Sequence, residues 1–120
     1  MQIFVTSIRD TIKTQFNIAW ELLEYHLSGI ADDECFWEPC LKGICVEKTT
    51  DGWLADWPET EGYDIGPPNI AWLTWHIIFW WSMVFDHSFG SGALKREDII
   101  WNGTMADVKK TIFQLRQDKP

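Results

Sequence analysis

Between Asn69 and Gly90 the chain reads NIAWLTWHIIFWWSMVFDHSFG, with no Gly, Pro or formal charge from Ile70 to Phe85. Pro67-Pro68 cannot extend a helix backwards, and Asn69 can accept a hydrogen bond from a free N–H of the first turn. The stretch therefore predicts one helix. Apolar residues lie nearly all round it, which is the pattern of a buried central helix. A membrane span is the competing reading. The uncharged run of 16 residues includes Thr74, His76 and Ser82 and falls short of the roughly 18 to 20 that a bilayer core requires, so no span is expected.

An earlier stripe of apolar positions, Val5, Ile8, Ile12, Phe16, Ala19, Leu23, His26/Leu27 and Ile30, recurs at steps of three and four. It predicts an amphipathic helix from about Thr6 to Ser28 that ends at a left-handed Gly29. Ile30 to Trp37 predicts one short helical turn, stopped by Glu38-Pro39. From Cys40 to Pro68 the helical period is lost. Ile44-Cys45-Val46 and Trp53-Leu54-Ala55 flank Thr49-Thr50-Asp51-Gly52 and predict a small hairpin. Trp53, Trp57 and Tyr63 in this long crossover either fold over a hydrophobic mouth or seal the core. A last helix is predicted from Thr104 to Gln117, with Thr104 and Asp107 as a capping box and Met105, Val108, Ile112 and Leu115 as its buried stripe.

Composition narrows the classes. The 120 residues are 46% hydrophobic and 15% aromatic, which fits a single globular domain over 1–120. A net charge of −8 and an isoelectric point near 4.7 argue against nucleic acid and anionic membranes as partners. The start MQIFVTSIRD lacks the basic and long apolar regions of a signal peptide, so a cytoplasmic protein is expected. Cys35, Cys40 and Cys45 are spaced C-x4-C-x4-C, which matches neither a zinc pair nor a redox C-x-x-C. They read as reduced, packed thiols.

The segments LSGIADDECFWEP (Leu27 to Pro39) and PPNIAWLTWHI (Pro67 to Ile77), then HSFG (His87 to Gly90) and a final helix opened by a capping box, together resemble the DinB-like family of four-helix bundles. The resemblance runs from about Leu27 to Leu115. It implies an all-α, up-down-down-up bundle with a long irregular first crossover. It also implies a divalent metal, Zn or Ni, held by three histidines, and kinship with bacterial thiol-dependent S-transferases and isomerases. His76 occupies the position of the family's second-helix histidine. The other two ligands normally form an H-x-x-x-H pair on a later helix, and no such pair exists here. The chain also stops about where the family's fourth helix begins, so that helix is expected to be short or missing.

Helix geometry limits the histidines. His76 and His87 are 11 residues apart, on nearly one face but separated along the axis by roughly 16 Å, so they cannot share a metal within one chain. His87 reads as a cationic helix-end cap. His26, on or beside the stripe of the first helix, reads either as a packed histidine or as a ligand. If it faces His76, the two form a candidate metal pair that Glu24, Asp64 or a loop thiol would complete. Motifs for serine hydrolases, phosphate loops and H-E-x-x-H metalloproteases are absent. Two functions follow as expectations. One is a metal-assisted transferase or hydrolase acting on a small, thiol-linked substrate; the other is a non-catalytic bundle that binds a small apolar ligand or a second copy of itself. A homodimer is expected under both, because an incomplete bundle leaves apolar surface uncovered.

Overall fold

The computed structural model describes residues 7–40, 43–57 and 66–117. These form two compact units divided after Ile30, mostly helical with one two-stranded sheet. The first unit is helix α1, Ile8–Ser28. Ser7 caps it, its Oγ accepting from Asp10 N at 3.1 Å. Gly29 closes it at φ −102°, in the ordinary right-handed half of backbone space and not in the left-handed conformation predicted. The N–H of Gly29 still reaches back to the Leu27 carbonyl, so the last turn tightens without needing positive φ. Trp20 and Leu27 are buried, whereas Ile8 is 80% and Ile12 59% exposed. The stripe predicted for the core is thus open in its first half. Periodicity shows which residues share a face; it does not show what covers them. Val5 and Thr6 lie outside the described residues.

The second unit begins with the short helix α2, Asp32–Cys35. Strands β1, Val46–Thr49, and β2, Gly52–Ala55, then pair antiparallel with Val46 opposite Ala55 and Thr49 opposite Gly52. The predicted hairpin is present. Ile44 and Pro68 form a parallel bridge that ties the hairpin's entry to the start of the next helix. Helix α3, Ile70–Phe89, opens as predicted on Asn69, whose Oδ1 accepts from Trp72 N at 2.9 Å. A single 3-10 turn, Arg96–Asp98, precedes helix α4, Met105–Gln117. The predicted capping box forms: Thr104 Oγ1 accepts from Asp107 N at 3.3 Å and donates to Asp107 Oδ2 at 3.0 Å. A second cap comes from far away in sequence, since Met105 N donates to Asp32 Oδ1 at 2.7 Å.

The core of this unit lies where α3 meets α4. Ala71, Trp75, Ile78 and Phe79 are buried on α3, and Met105, Val108 and Ile112 on α4. Trp101 is buried between them in sequence and donates from Nε1 to Thr74 Oγ1 at 3.0 Å; that hydroxyl in turn donates to the Ala71 carbonyl at 2.8 Å. Both buried polar groups are thereby satisfied. Phe36, Trp53 and Trp101 pack as a triad with centroids 5.1 to 5.6 Å apart, fixing the hairpin beside α2. Gly103, at φ +85°, permits this approach: a Cβ there would stand 2.6 Å from Trp53 Nε1. One prediction for α3 needs correction. It is buried along one side only, with Trp80 50% and Val84 58% exposed, because α4 and the hairpin cover a single face of a helix whose sequence is apolar on all of them. No helix among the described residues is long and apolar enough to cross a membrane.

Candidate functional site

The hairpin register places chemistry at its open end. Cys45 directly precedes the Val46–Ala55 pair and Asp56 directly follows it, and the ladder continues between them: Asp56 N donates to the Cys45 carbonyl at 3.0 Å. In return, Cys45 N donates to Asp56 Oδ2 at 2.9 Å. Glu47 lies two residues beyond Cys45, on the same face of the strand. The Cys45 thiol therefore sits between two carboxylates, 3.4 Å from Asp56 Oδ2 and 3.7 Å from Glu47 Oε1. The three candidate ligand atoms lie within 4.8 Å of one another. Burial, the Asp56 hydrogen bond and the negative charges of Asp56, Glu47 and Glu38 push the thiol up to about 12. At neutral pH it is a protonated donor, and a nearby cation would reverse that preference.

Helix α3 presents an aromatic column beside this group. The Asp56 carbonyl accepts from Trp72 Nε1 at 2.8 Å, and the Trp72 indole stacks on the His76 ring with centroids 4.7 Å apart and planes 17° apart. One turn further on, Trp80 Nε1 donates to His76 Nε2 at 2.9 Å. The spacing W-x3-H-x3-W puts all three rings on one face. An indole nitrogen only donates, so His76 Nε2 carries the lone pair and the ring proton resides on Nδ1. Burial lowers the His76 pKa, which keeps the imidazole neutral. A cation taken at Nε2 would displace Trp80.

The other predicted residues are placed as follows. His26 is exposed in the last turn of α1, edge-on to Tyr25 with centroids 5.5 Å apart. It belongs to the first unit with Glu24, whereas His76 belongs to the second; Asp64 and Tyr63 lie outside the described residues. His87 is in the last turn of α3, with Nε2 3.4 Å from the Leu94 carbonyl. Cys35 is buried as predicted, its thiol raised to about 11 by burial and by the charge of Asp32. Cys40 is exposed. Cys45 is free and half-buried, in line with a packed thiol, but its place between Asp56 and Glu47 is not contained in the cysteine spacing. The signal was available: the predicted turn sets the register, and extending the ladder by one pair sets Cys45 against Asp56.

A three-histidine metal centre does not fit this chain, which has three histidines in all and no H-x-x-x-H. The donor set that the described residues bring together is one sulfur and two carboxylates. A thiolate selects a borderline ion such as zinc, and carboxylate oxygens are ordinary zinc ligands. Searches among curated proteins and among solved structures give no match. The DinB superfamily model matches residues 15–118. That span takes in most of α1, the hairpin with its Cys45 group, the aromatic column of α3 and the whole of α4, and the chain belongs to the DinB superfamily.

Proposed function

We propose that this chain is a divalent-cation-dependent DinB protein, a transferase or hydrolase acting on a small substrate, with zinc held by Cys45, Glu47 and Asp56. The observation that supports it is the convergence of a thiol and two carboxylates within 4.8 Å at the open end of the hairpin. A bound zinc with an open position supplies a water or thiol of lowered pKa and a centre that stabilises developing negative charge. The protein's own residues prepare the place. The Cys45 N–H orients the Asp56 carboxylate, Glu47 shares its face, and the Cys45 thiol keeps its proton until a cation replaces it. Trp72 links this group to His76, a neutral imidazole with Nε2 as its basic atom.

Zinc titration against a chromophoric chelator, with elemental analysis, tests the reading. The wild type is expected to bind one zinc per chain and to release about one proton at pH 7, because the thiol must ionise to ligate. Cys45→Ser and Asp56→Asn should each weaken binding by about 10- to 100-fold or more, the range that even the loss of a ligand-orienting partner reaches. His76→Ala and His26→Ala should retain the ion. Zinc lost with either histidine and kept in Cys45→Ser would return the centre to the histidines. A wild type that takes up no zinc would remove the metal reading.

A further inference from the structure

The hairpin and the 3-10 turn enclose a second cleft, of about 150 Å³, that the cation group does not use. Its walls are the indoles of Trp53, Trp57 and Trp75, with Leu54 and Ile99 beside them. These walls are held from behind. Trp75 stacks on Phe79 with centroids 5.2 Å apart, Trp57 meets both edge-on, and Trp53 is fixed by Phe36 and Trp101. A space of this size accommodates a single aromatic ring. The rim carries the Arg96–Glu97 ion pair. The Arg96 guanidinium carbon lies 4.6 Å over the Trp57 ring, and Lys48 Nζ is 6.0 Å from the centre of Trp53.

Arg96 is held over Trp57, and its carboxylate partner among the described residues is Glu97, at 3.3 Å through one nitrogen. Glu97 is 68% exposed, so that pair contributes little and is readily exchanged. Most of the five guanidinium donors remain to receive another carboxylate in bidentate fashion. A cationic ligand would have to compete with Arg96 for the face of Trp57, and a neutral ring would leave the guanidinium unused. We propose that this cleft binds a small aromatic carboxylate, with its ring among Trp53, Trp57 and Trp75 and its carboxylate on Arg96. The inference goes beyond the cation reading and does not depend on it.

Three one-ring probes separate the alternatives: benzoate, benzyl alcohol and phenyltrimethylammonium, each titrated into the whole chain and followed by the indole N–H signals in nitrogen-15 NMR. Benzoate should bind saturably, move the Trp53, Trp57 and Trp75 signals, and bind at least about tenfold more tightly than benzyl alcohol, the factor a charge-assisted hydrogen bond supplies. Arg96→Gln should cut that preference to about threefold or less, at constant affinity for benzyl alcohol, while Arg96→Lys retains an intermediate part of it. Retention of the other indole signals shows that each variant is folded. Benzoate binding no tighter than benzyl alcohol, tighter binding of phenyltrimethylammonium, or a benzoate preference that survives Arg96→Gln would each overturn the proposal.

Discussion

The indole of Trp80 donates to His76 Nε2, and a protonated imidazole has no lone pair left to accept that bond. Acidification therefore sets two N–H groups against each other. Burial already lowers the His76 pKa in the folded chain, so the unfolded chain takes up the proton first. The contribution of His76 to stability is complete above the unfolded value of about 6.5 and is lost as pH falls through the folded one. Thermal melts of the wild type between pH 7.5 and 5 should accordingly show a falling midpoint. His76→Gln can still accept from Trp80 but does not titrate, and it should flatten that part of the profile. Parallel profiles for the two proteins would count against the bond.

Among the elements, α4 was the most legible in the sequence, because its capping box and buried stripe are local signals: Thr104 and Asp107 pair as their spacing requires. The hairpin was legible for a similar reason, through the turn between Thr49 and Gly52. What fixes the hairpin against the rest was not legible. Gly103 stands at φ +85° with Trp53 packed against its α-carbon, a contact between positions 50 apart in sequence. Gly103→Ala combines a left-handed backbone, which costs a residue with a Cβ about 1 to 2 kcal/mol, with overpacking against the indole. Urea unfolding should register a loss of about 2 to 5 kcal/mol for the two effects together. A loss no larger than about 1 to 2 kcal/mol, that of the left-handed backbone alone, would show that Trp53 does not bear on this turn.

For the molecule as a whole, the family was readable from Leu27 to Leu115 and the site was not. The pattern around Pro67 to Ile77 marked His76 for its position on a helix, and the structure gives that histidine an aromatic column. The thiol and carboxylates come from either side of a turn, where side-chain convergence depends on strand register and not on helical spacing. The open first half of the α1 stripe and the half-exposed α3 have the same origin: an apolar face is written in the sequence, and its cover is not. The Asp32–Met105 bond belongs to this long-range class, and its consequence lies in the order of folding. It joins groups 73 positions apart and can form only after the intervening chain has closed a long loop. The start of α4 should therefore be sealed late, after the rate-limiting step. Asp32→Ala, at a cap loss of about 1 to 2 kcal/mol, should speed unfolding by about 5- to 30-fold and leave refolding nearly unchanged in stopped-flow urea jumps. A refolding limb slowed by that factor would place the junction of α2 and α4 inside the folding nucleus.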